Sequence, residues 1–241
     1  MLENIGERSD PGIHELIRLV EYSNVHVELE HALGLSHARW LRGAISRMAN
    51  QAEFHHHTEN GLAYQHPLIR YDTSTGHASL MGLAQGALLV RSVPQVKSLR
   101  LGSETLQVVD WSVIADRVPI GPVEQMICYQ FQTPYLALNQ ENHEVWRRAG
   151  DPERTRLLER ILIGNLLSLS KAIGLNVAVR LRAETDLEPS GLEELKPGVS
   201  LLGFHGSFRV NFLIPERWGI GKSTARGFGT LSRKEISSGE V

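Results

Sequence analysis

Alternating apolar and polar residues predict several half-buried β-strands along this chain. Residues 24–30 and 206–214 alternate with a period of two, and residues 177–182 do so over a shorter stretch. Successive side chains of a strand point to opposite faces of a sheet, so each segment would cover a core on one side. Shorter apolar runs, broken by Gly, Pro and Ser, predict further strands at residues 68–71, 87–90, 106–109 and 127–131.

A helical period appears twice. One apolar stripe runs from Trp40 to Met48, after Ser36 as its predicted N-cap. A longer helix is predicted to begin at Asp151, with Pro152 in its first turn, and to end at Gly174. Its apolar positions fall on one side, which predicts packing against a sheet.

Strands and helices follow one another in the same order twice, which predicts an α+β protein with two domains. We place the boundary near residue 112, giving domains 1–112 and 113–241. A loop rich in Glu, Pro and Gly, at residues 184–198, would join the last two strands of the second domain.

Composition narrows the function only a little. The 241 residues carry a net charge of −2 and a pI near 6.6, yet residues 205–241 hold six Lys and Arg against three Asp and Glu. A local basic patch of this kind is enough for nucleic-acid binding. The single cysteine, Cys128, permits no intrachain disulfide and fits a reducing cytoplasm. No apolar run approaches 18 residues, so no membrane partner is expected.

A glycine-rich basic segment near residue 220 is the strongest functional signal. Glycines allow positive φ and close approach of a ligand to backbone N–H groups, and neighbouring cations suit a phosphate backbone. The segment is not a P-loop, because Glu216 stands where that motif needs glycine, and Thr224 breaks the dinucleotide-binding pattern. A purely structural glycine-rich hairpin is the alternative. The predicted RNA-binding residues are Arg42, Arg217, Gly219, Gly221, Lys222, Ser223, Arg226, Gly227 and Gly229.

Three adjacent histidines are the candidates for chemistry. If their segment is extended, His55 and His57 point to one side and His56 to the other. Cleavage of RNA by its own 2′-hydroxyl needs a base, an acid and a cation, and imidazole serves as acid or base. A solvated loop and half of a zinc site are the alternatives. Further zinc ligands would have to come from His31, His37, His66, His77 or Cys128.

Several segments, in one consistent order, resemble the CRISPR-associated endoribonucleases that cut precursor crRNA within its repeats. The glycine-rich segment after Ile214-Pro215 carries the resemblance first, ending in Gly-Phe-Gly-Thr-Leu at residues 227–231. The others resemble the b-type branch of this family, which belongs to the RAMP superfamily. They are Trp-Leu-Arg-Gly-Ala-Ile at residues 40–45, Phe-His-His-His at 54–57, Tyr64, His-Pro-Leu-Ile-Arg-Tyr at 66–71, residues 131–139 and Leu-Ile-Gly-Asn at 162–165.

The resemblance implies two tandem ferredoxin-like, or RRM-like, domains and metal-independent cleavage of repeat RNA without a cofactor. By position, it implies that His55, His57, Tyr64 and Arg47 are catalytic. His56 departs from the family pattern, where a polar residue such as Asn is usual, and this leaves open which of the three histidines point inward. Arg47 stands where Lys is expected. Arginine keeps the charge but does not titrate usefully.

The sequence also leaves open two other functions and two kinds of association with protein partners. A non-catalytic crRNA-binding subunit of an effector complex would share the fold, and a small-molecule enzyme would use the same histidines. Association with other effector-complex subunits and formation of a homodimer are left open. The expected partner in each RNA-based hypothesis is CRISPR repeat RNA or crRNA.

Overall fold

The protein is described by a computed structural model that covers residues 17–49, 66–196 and 198–234. In these ranges the chain forms eight β-strands, four α-helices and two short 3-10 helices. The strands are β1 (Arg18–Leu29), β2 (Ile69–Asp72), β3 (Ala78–Leu83), β4 (Ser98–Leu101), β5 (Glu104–Phe131), β6 (Ala183–Lys196), β7 (Val199–Leu213) and β8 (Leu231–Arg233). The helices are α1 (Ala38–Ala49), α2 (Gln85–Arg91), α3 (Gln140–Arg148) and α4 (Asp151–Ala172), and the 3-10 helices are Leu35–His37 and Thr224–Arg226.

The first module is an antiparallel sheet with the order β2-β3-β1-β5. Val25 of β1 pairs with Leu80 of β3 on one side and with Val113 of β5 on the other. Helices α1 and α2 follow β1 and β3, as in a ferredoxin-like fold. Buried side chains of α1, such as Leu41 and Ile45, complete the core of this module.

The second module repeats this order of strands. Strand β5 lies between β7 and β8, and β6 forms the edge, so the order is β6-β7-β5-β8. Helix α4 follows β5 and packs against the sheet. The glycine-rich segment lies between β7 and β8, where the second helix of a ferredoxin-like fold would stand. The predicted fold, α+β with two tandem ferredoxin-like domains, is confirmed.

One long strand, β5, belongs to both modules. Residues 108–120 pair with β1, and from Gly121 onward the strand pairs with β7. Gly121 has a φ of 148°, and the ladder to β7 shifts register between Pro122 and Ile127. Residue 112, near which the sequence places the boundary, lies inside the β1–β5 ladder, where Ser112 pairs with His26.

Three local predictions were wrong. Residues 85–91 form helix α2, although residues 87–90 suggest a strand, because a short apolar run does not distinguish a strand from a buried helix. Residues 177–182 are not a strand, and most of the predicted loop that follows is β6. Strand β6 is Glu-rich, but its pairing with β7 along nearly its whole length outweighs that local preference. The long helix was predicted correctly, with Gly174 following it at a φ of 70°.

The two modules share a hydrophobic core. Val20, Met81 and Leu83 belong to the first module but pack in one cluster with leucines of α4 and aromatic residues of β7. The modules are therefore held together by buried apolar surface as well as by β5. No helix in the described ranges is long and apolar enough to cross a membrane.

Candidate functional site

The glycine-rich segment lies across the seam between the modules, and side chains of the first module hold it. Trp218 Nε1–H donates a hydrogen bond of 2.9 Å to Nε2 of His66. Arg70, on β2, donates from Nη1 to the Arg217 carbonyl at 2.6 Å and from Nη2 to Thr230 Oγ1 at 2.7 Å. The segment is thus fastened near both of its ends.

The second module holds the same segment from the other side. The Lys222 amide donates to the carbonyl of Leu136 at 2.9 Å, and the Gly229 amide donates to that of Pro134 at 3.0 Å. Thr133 Oγ1 donates to the Gly227 carbonyl at 2.7 Å. These backbone groups are therefore engaged inside the protein.

Internal packing accounts for the glycines of this segment. A Cβ on Gly229, whose φ is 64°, would overlap the carbonyl oxygen of Ile220. A Cβ on Gly221, at a φ of 103°, would lie 2.6 Å from the ring of Tyr135. The other two are similar: a Cβ on Gly219 would lie 2.9 Å from Arg70 Nη1, and one on Gly227 3.0 Å from Leu35 Cδ1. Outward, the segment presents side chains: Glu216 is exposed at its start, and Lys222, Ser223 and Arg226 are half-buried.

A buried ion cluster anchors Arg217, one of the predicted RNA-binding residues. Its Nη2 donates to Asp72 Oδ2 at 2.5 Å and to Ser74 Oγ at 2.9 Å. Asp72 also lies 4.0 Å from Arg70, and both of these side chains are 1% exposed. Burial lowers the pKa of Arg70 to about 10, against the opposing effect of Asp72. Burial alone would raise the pKa of Asp72, but Arg70, the hydrogen bonds from Ser74 and Arg217 together lower it.

His66 serves as a neutral hydrogen-bond acceptor. Burial, with a smaller effect from Arg70, lowers its pKa to about 3. An imidazole in that state accepts the Trp218 N–H and does not transfer protons near neutral pH. Among the described residues, no three His, Cys, Asp or Glu side chains come together as metal ligands.

Four arginines line a groove between α1, the 3-10 helix Thr224–Arg226 and the β6–β7 hairpin. We call this the arginine groove; it has a volume of about 510 Å³, and its arginines are Arg39, Arg42, Arg47 and Arg226. Arg226 Nη1 donates to the Leu195 carbonyl of the hairpin at 3.3 Å. Its pKa is lowered by burial and then by the charges of Arg42 and Arg39, so these guanidinium groups repel one another across the groove.

A smaller hollow of about 280 Å³ adjoins the groove and shares Arg39 and Arg226 with it. Glu193 and Glu194, from the hairpin, line its other side. The adjoining surface is therefore mixed in charge, whereas the charged side chains that line the arginine groove itself are cationic. The cationic lining of the arginine groove suits a bound polyanion.

The predicted site residues are only partly described. Arg47 lies exposed in the last turn of α1, within the arginine groove. His55, His57 and Tyr64, and with them His56, lie outside the described residues, in the stretch of chain that follows α1. The structure brings Arg42 and Arg226 together in the groove, whereas Arg217 lies with Asp72.

Sequence reasoning missed Arg39 and Asp72 as contributors to this region. Arg39 was detectable, because helical spacing places residues 39, 42 and 46 along one side of α1. Asp72 was not, because its two arginine partners come from residues 70 and 217, which only the fold brings together.

Comparison with known proteins gives a match along most of the chain. The family model of the Cas6b N-terminal domain matches residues 18–117, and that of the Cas6b C-terminal domain matches residues 121–234. An uncharacterized protein of Methanocaldococcus jannaschii is 36% identical over 140 residues, which is 58% of this chain and 95% of that protein.

Solved structures agree with the family models. A crystal structure of Cas6b aligns with a TM-score of 0.82 and 28% identity, covering 90% of this chain and 100% of that chain. A crystal structure of the CRISPR RNA processing endoribonuclease Cas6b aligns with a TM-score of 0.70 and 26% identity, with the same coverage.

Proposed function

Because the chain belongs to the Cas6b family, we propose that it is an endoribonuclease that cleaves CRISPR repeat RNA to produce mature crRNA. The observation that carries the proposal is the match to both Cas6b domains, at residues 18–117 and 121–234. A solved Cas6b of the same fold is a CRISPR RNA processing endoribonuclease, which supports this activity for the present chain.

The arginine groove is the proposed binding site for the RNA backbone. Arg39, Arg42 and Arg226 line it, and each guanidinium can hold a phosphate through two parallel hydrogen bonds. Lys222 and Ser223 extend the same surface along the glycine-rich segment. In this proposal the four glycines shape the segment, and Arg217 fixes its start through Asp72.

The proposed chemistry is attack of the ribose 2′-oxygen on the adjacent phosphorus. One histidine of the pair His55 and His57 takes the 2′-hydroxyl proton, and the other gives a proton to the departing 5′-oxygen. Tyr64 assists these proton transfers in the proposed mechanism. Arg47 supplies positive charge to the phosphorane, and it cannot replace a histidine as proton donor, because guanidinium keeps its proton. The products are a 5′-hydroxyl end and a 2′,3′-cyclic phosphate end, and no metal ion is required.

The experiment is a single-turnover cleavage assay with the repeat RNA of the CRISPR array in the same genome. We expect His57→Ala to slow cleavage by about 10² to 10⁴-fold and to change repeat affinity only a few-fold, because proton transfer belongs to the chemical step. His56→Ala is the matched control and should cleave at nearly the wild-type rate; a loss there as large as in His57→Ala would make His56 one of the catalytic pair. An equal loss of binding and rate in His57→Ala would contradict its catalytic role, whereas a larger loss in His55→Ala would exchange the two roles.

A further inference from the structure

Trp40 is a large aromatic side chain that is only partly buried in the fold. It begins the apolar stripe of α1, in which Leu41, Ala44 and Ile45 are buried, yet it stays 43% exposed. An indole combines a large apolar face with a polar N–H, which makes an exposed one beside a cationic groove a candidate for contact with a ligand.

The ring of Trp40 has a fixed support. A Cβ built on Gly102, in the turn between β4 and β5, would lie 3.3 Å from Cδ2, 3.4 Å from Cε2 and 3.6 Å from Cε3 of the indole. Nearly equal distances to three adjoining ring atoms place a face of the ring over this glycine. Gly102 has a φ of 68°, so the tight turn brings its backbone close to the ring. Gly102 thus lies against part of one face of the indole.

Arg39 joins this aromatic surface to the arginine groove. Its Cζ lies 4.7 Å from the centroid of the Trp40 ring, within the range of a cation–π contact. The same side chain lines the groove together with Arg42 and Arg226. The indole therefore adjoins the groove, and an extended ligand whose anionic groups lie in the groove can also contact the ring.

We propose that Trp40 stacks on an unpaired nucleobase of the RNA whose phosphates lie in the arginine groove. Proteins that hold single-stranded RNA combine a cationic groove with aromatic rings, because every base has a stacking face. The Arg39 guanidinium lies over the ring in the free protein, so the base takes its place there while Arg39 turns to a phosphate in the groove that it also lines. The inference rests on the proposed function and adds a base contact to it.

The test replaces single unpaired bases of the repeat RNA, one at a time, with fluorescent 2-aminopurine. At one position we expect the emission to fall when the wild-type protein binds and to stay unchanged with Trp40→Leu, which keeps an apolar contact with Gly102 but cannot stack. Repeat affinity should fall about 5- to 150-fold in Trp40→Leu and stay within a few-fold in Trp40→Phe. Leu88→Ala, which alters another exposed apolar residue on α2, is the control and should bind like wild type.

A second readout separates stacking from loss of charge or fold. The salt dependence of binding should be unchanged in Trp40→Leu and weaker in Arg39→Ala, because only arginine displaces counterions from phosphate. Thermal unfolding verifies that each variant is folded. If Trp40→Leu is not folded, Trp40→Phe, which keeps an aromatic ring, is compared with wild type instead. Quenching at no position with wild type, or unchanged affinity in Trp40→Leu, would overturn the inference. Failure of the wild-type protein to bind or cleave repeat RNA would instead overturn the proposed function.

Discussion

His66 is buried between the two modules and accepts a hydrogen bond from Trp218 Nε1–H across their seam. In the sequence it follows three adjacent histidines and is one of the possible further zinc ligands. The fold buries it against Trp218 as a hydrogen-bond acceptor, and its pKa falls to about 3. Neither its partner nor its burial could be predicted, because 152 residues separate the two side chains.

This burial predicts a loss of stability in acid. Below about pH 6.5, His66 is protonated in the unfolded chain but stays neutral in the folded protein. The contribution of His66 to the free energy of unfolding is therefore fully present above that pH and declines as the pH falls toward 3. The decline contributed by His66 is about 1.4 kcal/mol per pH unit. His66→Asn keeps an acceptor for Trp218 but does not titrate. Urea unfolding from pH 7.5 to 5.5 should show a shallower decline in His66→Asn, and parallel curves for the two proteins would contradict the assignment.

The side chains of Arg226 and Lys222 are proposed to bind phosphates of the RNA, and the salt dependence of binding tests this. Removing a cation that binds one phosphate should make the slope of log affinity against log salt less negative by about 0.7 to 0.9. We expect about twice this change, roughly 1.4 to 1.8, in the Lys222→Ala, Arg226→Ala double variant, because it removes two cations; fluorescence anisotropy with repeat RNA measures the slope. Arg156→Ala, which removes an exposed arginine of α4, should leave the slope unchanged. An unchanged slope in a folded double variant would mean that the RNA lies elsewhere.

At the level of elements, the glycine-rich segment takes the place of a helix. Its sequence predicts positive φ, and Gly221, Gly227 and Gly229 all have it. The sequence could not show what approaches the glycines, since Tyr135, Leu35 and Ile220 reach them only in the folded chain. Helix α4 was predictable from its own residues, because Pro152 and the apolar period act locally.

The glycine-rich segment therefore contributes to stability independently of any ligand. Gly229→Ala should destabilise the protein by about 1–3 kcal/mol, because the new Cβ would overlap the Ile220 carbonyl and the residue has a positive φ. Gly164→Ala is the matched control, since its Cβ would meet nothing within 4 Å in the middle of α4. It should stabilise by about 0.5–1 kcal/mol. Urea unfolding measures both, and equal stability of Gly229→Ala and wild type would contradict this role.

At the scale of the whole molecule, two modules are joined by one strand and one core. The repeated order of strands and helices in the sequence predicted the modules, but not their connection. Strand β5 continues through residue 112 because its backbone bonds to β1 there and to β7 beyond Gly121. Long-range pairing of this kind leaves only a weak local trace. The arginine groove has the same origin, since α1 and Arg226 come from different modules.

The most direct test of the account is cleavage of end-labelled repeat RNA by the purified protein in excess EDTA. We predict cutting at one position, with a 5′-hydroxyl on one product and a 2′,3′-cyclic or 3′-phosphate on the other, because imidazoles and cationic side chains supply the chemistry. Binding without cleavage would instead indicate a non-catalytic crRNA-binding subunit. Activity that appears only after Mg²⁺, Mn²⁺ or Zn²⁺ is added would contradict the metal-independent mechanism.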